Sequence, residues 1–204
     1  MSARPARLAA LFAATALLGA CAGLQRPAAT ADWQAQSERL RQLSAWTLRA
    51  KASLRTPTGA ETARLYWRQR DGASELTLSG PLGTGAVAIS RRGDRLRYRD
   101  GSGVREFAAD DPAALAAAVG WPVPVEALGW WLRGLPAPAP PAEQRFAAGL
   151  PRRITQGDWV VRYEAFTEAA GLLLPQALTL RYPPGGVEVR LVAARWQPET
   201  PDVP

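Results

Sequence analysis

The sequence predicts a mainly β protein, a strongly curved antiparallel sheet or barrel interrupted by a helical insert. Three observations predict it. Apolar and polar residues alternate with a period of two in many short segments, and turn residues such as Asp71-Gly72, Gly93-Asp94 and Asp100-Gly101 punctuate them. Between Asp110 and Pro141 the alternation gives way to helical signals, and afterwards it resumes. At 204 residues and 47% hydrophobic content, the chain is long and apolar enough for one domain with a sizeable core.

The first segment is not part of that domain. Arg4 and Arg7 precede the uncharged run Leu8 to Ala20, which is shorter than the ~20 residues needed to span a bilayer and has the character of a secretory signal. It ends in Leu18-Gly19-Ala20-Cys21, similar to the lipobox of bacterial lipoproteins, and Cys21 is the one cysteine of the chain. Residues 1–20 are therefore expected to be a lipoprotein signal peptide and Cys21 the lipidated (palmitate-bearing) first residue of the mature chain. Loss of Arg4 and Arg7 takes the net charge from +7 to +5. Ala22, in place of an aspartate resembling an inner-membrane retention signal, favours the outer membrane. Residues 21–31 have the composition of a flexible tether, which leaves 32–204 as the single domain.

Asp32 is placed to cap a helix running through Ser44, with Trp33, Leu40 and Leu43 on its apolar side. From Trp46 the period becomes two: Trp46, Leu48, Ala50, Ala52 and Leu54 alternate with Thr47, Arg49, Lys51, Ser53 and Arg55. Ala63, Leu65 and Trp67 repeat the pattern. Further strands are expected at 75–79, 85–91, 95–99 and 103–107. In the insert, Asp110 or Asp111 caps a helix that Pro112 opens and Gly120 stops, a second helix covers Val125 to Arg133, and Pro136 to Pro141 is an extended connector. Strands return at 152–155, 158–166, 176–182 and 187–196, where Val187, Val189, Leu191 and Ala193 alternate with Glu188, Arg190 and Val192.

Composition excludes several chemistries. With no histidine, a Ser-His-Asp triad, a Cys-His pair and a histidine-bearing metal site are impossible, and one cysteine cannot form an internal disulfide. Gly80 to Gly85 lacks a P-loop lysine, and no constellation points to a catalyst, a metal or a cofactor. The 25 basic residues include a single lysine, Lys51, and are scattered at strand spacing, so they read as a solvated face rather than a nucleic-acid surface. The eight tryptophans are more informative. Trp46, Trp67, Trp159 and Trp196 are assigned to the inward phase of strands, and Trp130 and Trp131 to the insert. A curved sheet capped by a helix pair encloses an apolar space, and Trp46, Leu48, Leu65, Trp67, Trp131, Trp159 and Val161 are the expected lining.

Landmarks along the whole domain carry a resemblance. They include Asp32-Trp33, Trp46, Leu65 to Gln69, Leu76 to Gly83, Ala109 to Asp111, Trp121 to Pro124, Trp131 to Pro136, Gln156 to Trp159 with Tyr163, Leu174-Pro175 and Trp196. In order and spacing they resemble the LolB family of outer-membrane lipoproteins, although Ala50-Lys51 stands where Gly-Arg is expected. The resemblance implies a half-open barrel with a helical lid around an apolar cavity. It also implies a lipid-anchored receptor on the periplasmic face of the outer membrane, a monomer that takes acylated lipoproteins from the periplasmic chaperone LolA and inserts them into the membrane without nucleotide. A scaffolding lipoprotein with a filled core is the alternative. Leu82, between Pro81 and Gly83, could on the residues alone either fold back onto the barrel rim or protrude; the resemblance implies a protruding leucine needed for handing cargo to the membrane.

Overall fold

The computed structural model describes residues 33–80 and 85–199. The signal peptide, Cys21, the tether and the tip Pro81-Leu82-Gly83 lie outside the described residues. Helix α1 is Trp33–Gln42, two residues shorter at its C-terminus than expected. Strands β1 (Trp46–Thr56), β2 (Gly59–Arg70), β3 (Ala73–Ser79), β4 (Val87–Arg92), β5 (Arg95–Asp100) and β6 (Gly103–Ala108) follow. Then come α2 (Pro112–Val119) and α3 (Val125–Leu132), and finally β7 (Ala142–Ala147), β8 (Leu150–Gln156), β9 (Trp159–Ala169), β10 (Leu172–Tyr182) and β11 (Val187–Pro198).

All the strands form one antiparallel, curled sheet in the order β6-β5-β4-β3-β2-β1-β11-β10-β9-β8-β7. This order explains the insert. The chain meanders outward from β1 to one free edge, β6, and must start again at the other free edge, β7, to return beside β1. The helices are the crossing between those edges, so they roof the concave face.

The alternation of β1 is realised: Trp46, Leu48, Ala50 and Ala52 are buried while Arg49 and Lys51 are exposed. The alternation expected of β11 is not realised throughout. Ala193 was expected inward, yet it is exposed, with φ 54°, at a bulge where the pairing jumps from Arg49–Arg195 to Lys51–Val192. The extra residue shifts the phase, so Leu191 before it and both Ala194 and Trp196 after it point into the core. Several strands run past their expected bounds, β8, β9 and β10 among them, and one, β7, was not expected. Strand β7 has five exposed residues of six and so carries no period. Strand β10 starts at Leu172, four residues early, and carries Pro175 through an irregularity in its pairing with β9.

At the end of α3, Gly134 takes φ 83°, and a Cβ there would lie 3.1 Å from the ring of Trp33. Only glycine lets α1 lie this close against the end of the roof.

Candidate functional site

The concave face is assembled in rows that cross the strands. One row runs Leu48, Trp67, Leu76, Ile89 and Tyr98 from β1 to β5; the next runs Ala50, Leu65, Leu78 and Val87. On the other flank, β9 contributes Trp159, Val161 and Tyr163 at alternate positions. The seven residues expected to line the cavity are all brought together. Trp46, Leu48, Leu65, Trp67, Trp131, Trp159 and Val161 are buried in one apolar cluster, with the roof closed upon them.

Aromatic rings organise this cluster in two groups. Trp46 stacks on Trp67 with ring centres 6.0 Å apart and touches Trp196 at 5.1 Å. Beneath the roof, Trp159 contacts Trp131 at 5.9 Å and Tyr182 at 5.3 Å. Trp196 donates its indole N–H to the Pro175 carbonyl at 2.7 Å. The indole N–H of Trp46, fully buried, has no acceptor among the described residues. A buried donor without a partner is costly.

Polar ties fasten α3 over this face. The Trp131 indole donates to Gln156 Oε1 at 2.8 Å, and that oxygen also accepts the Ala137 N–H at 3.0 Å. The Gln156 amide nitrogen donates to the carbonyls of Ala137 and Pro140. Tyr163, kept neutral because burial raises its pKa well above 10, donates its hydroxyl to the Trp131 carbonyl at 2.8 Å. Arg133 donates Nη1 to the carbonyls of Leu40 and Leu43, both at 2.8 Å, and Nε to Gly129 at 3.1 Å. Burial lowers the Arg133 pKa to about 10, which leaves it cationic at neutral pH. Sequence reasoning assigned no role to Gln156 or Arg133. The available signal was a polar residue set in an otherwise apolar stretch, Leu132-Arg133-Gly134, and one on the inward phase of β8 with Ile154.

An open antiparallel half-barrel whose apolar concave face is roofed by a helical crossing is the class of protein defined here. A Vibrio parahaemolyticus domain named for outer-membrane lipoprotein sorting has a similar fold, with a TM-score of 0.51 at 6% identity, covering 82% of this chain and 93% of that one. The model of the family "Outer membrane lipoprotein LolB" matches residues 44–196. The outer-membrane lipoprotein LolB of Chromohalobacter salexigens is 37% identical over 189 residues, 89% of this chain and 86% of that protein. The LolB of Pseudomonas aeruginosa is 34% identical over 205 residues, 94% of this chain and 96% of that protein. The chain belongs to the LolB family of outer-membrane lipoproteins. No helix among the described residues is long and apolar enough to cross a membrane.

Proposed function

We propose that the protein is anchored through Cys21 to the periplasmic face of the outer membrane, where it receives acylated lipoproteins from LolA and inserts them into the lipid. The observation that carries this reading is the continuous apolar concave face beneath a roof that merely bridges two free sheet edges. Raising the roof would expose the six lining residues borne on strands without breaking any strand pairing, at the cost of the ties that hold α3. A triacylated cargo has roughly 45 methylenes at about 0.8 kcal/mol each, so release into water would cost on the order of 30 kcal/mol. Transfer must pass from one apolar face to another, and its direction follows from weaker binding in the donor and tighter binding here.

The seven-residue lining is tested by titrating the protein with a dibromostearic acid. Bromine quenches indole fluorescence at short range, so saturable quenching is expected from Trp46, Trp67, Trp131 and Trp159, with a smaller amplitude in the Trp67→Phe variant. Saturable binding without quenching would show that acyl chains sit elsewhere. The receptor role is tested by mixing the chain with LolA loaded with lipoprotein and recovering the cargo on this protein. Leu82→Glu is expected to accept cargo but fail to insert it into liposomes, because a leucine contributes about 1.5–3 kcal/mol on entering lipid and a glutamate opposes entry. Insertion at the parental rate would remove the loop 81–83 from the mechanism.

A further inference from the structure

One row of the concave face departs from the apolar pattern. At the end of the sheet near the last turn of α1, the cross-strand row is Trp46, Gln69, Ser74, Arg91 and Leu96. Gln69, Ser74 and Arg91 share the inward phase of Trp67, Leu76 and Ile89 (two residues from each along β2, β3 and β4), so three polar side chains meet beneath α3. A cleft of about 230 Å³ opens there, and its charged lining residues are Arg41, Arg91, Glu126 and Arg133.

The cationic groups are unevenly matched. Arg41 is paired with Glu38 at 2.9 Å. Arg91 is half-buried, and its side chain makes no hydrogen bond or ion pair with a described residue. Arg133, 7% exposed, is bonded to three carbonyls and stacked 4.7 Å over Trp130, with no carboxylate partner among the described residues. Its Nη2 is left over. Glu126 is exposed at the wall and bonded to none of the three arginines. A buried guanidinium balanced only by carbonyl dipoles is poorly compensated, and an anion in the cleft would complete it. Two guanidinium forks on one cleft match the tetrahedral oxygens of a phosphate better than a lone carboxylate does. Leu43, Val125 and Trp130 supply an apolar wall beside them.

We propose that this cleft binds a phosphate group carried on an apolar body, with Arg91 and the Nη2 of Arg133 as charged donors and Gln69 and Ser74 as neutral ones. None of the seven acyl-lining residues borders the cleft, although Gln69 Oε1 accepts the Trp67 indole N–H at 3.4 Å, so the site adjoins the acyl face without using its residues as donors. The phosphate could come from a phospholipid headgroup or from solution.

Calorimetric titration of the full chain in a non-ionic detergent, with the heat of dilution into protein-free detergent subtracted, tests the proposal. The probes are inorganic phosphate, hexyl phosphate and dihexanoyl phosphatidylglycerol. Saturable binding is expected, weakened about tenfold (about 1.4 kcal/mol) in Arg91→Gln and less in Arg91→Lys. Arg195→Gln, an exposed arginine on β11 away from the cleft, is expected to bind as the parent does. Tighter binding of the two amphiphiles than of inorganic phosphate supports the apolar body and a lipid source, and equal affinity would overturn the apolar body and leave a site for free phosphate. Equal affinities of Arg91→Gln and Arg195→Gln, or no saturable heat with any probe, would overturn the site.

Discussion

The two helices of the roof are equally long, eight residues each, and both are rich in apolar residues, yet they are held in opposite ways. Helix α3 buries Val125, Gly129, Trp131 and Leu132, and polar ties from Gln156, Tyr163 and Arg133 fix it to the β8–β9 flank of the sheet and to α1. Helix α2 buries Leu115 alone, and the side-chain bond at its start is local, from the Ala114 N–H to its own cap Asp111 at 3.0 Å. The difference teaches that a roof need not move as one piece. Helix α3 is tied down as a beam, whereas α2 is held by little more than Leu115 and its own cap, as a flap would be. Local stability follows buried contacts and hydrogen bonds, so α2 should open far more often than α3.

The contrast is broken most severely at Gln156. Replacing it with leucine leaves the Trp131 indole, the Ala137 N–H and the carbonyls of Ala137 and Pro140 unpaired in a buried place. At roughly 1–3 kcal/mol for each such group, with partial relaxation, a loss of about 3–5 kcal/mol is expected. Urea denaturation measures it, and hydrogen exchange should show α3 opening nearly as readily as α2. A loss below about 1 kcal/mol would mean that Gln156 does not hold the beam.

Arg133→Met is expected to cost less, about 2 kcal/mol. The carbonyls of Leu40, Leu43 and Gly129 lose their donor and the stack on Trp130 is lost, but removing a buried cation relieves its desolvation. The melting temperature should fall by less than in Gln156→Leu. A larger fall would make α1, not β8, the main support of α3.

Legibility in the sequence divides along a physical line. What depends on near neighbours was readable. The period of two in β1 and β2, the Asp111-Pro112 start of α2 and its stop at Gly120 are all local, and the structure contains them. The burial of Trp46, Trp67, Trp131 and Trp159 followed from phase and placement alone. What depends on distant partners was not readable. The carbonyl of Leu40 that receives Arg133 is 93 residues away in the chain, and nothing in either segment announces the other. Strand β7 is an edge, exposed on both faces, so burial imposed no alternation on Ala142–Ala147. The bulge at Ala193 reversed a phase that strict alternation would have carried through to Trp196, outward. That tryptophan was placed inward correctly, but the alternation of its own strand does not explain why.

The smallest expected effect sharpens the comparison from the side of the flap. Asp111 is exposed, and its carboxylate satisfies one of the otherwise unpaired N–H groups of the first turn of α2. Substitution of a capping residue by alanine costs about 1 kcal/mol. In a helix bound tightly to the core, that cost would appear in global unfolding. In a flap that opens by itself, it appears in the opening equilibrium, because the cap is lost before the rest of the domain unfolds. Asp111→Ala is therefore expected to speed hydrogen exchange of the α2 amides about fivefold, the factor that corresponds to about 1 kcal/mol. The exchange of α3 should stay unchanged, and the urea midpoint should move little. Acceleration of α2 and α3 together would show that the two helices open as one lid, and the beam-and-flap distinction would fall.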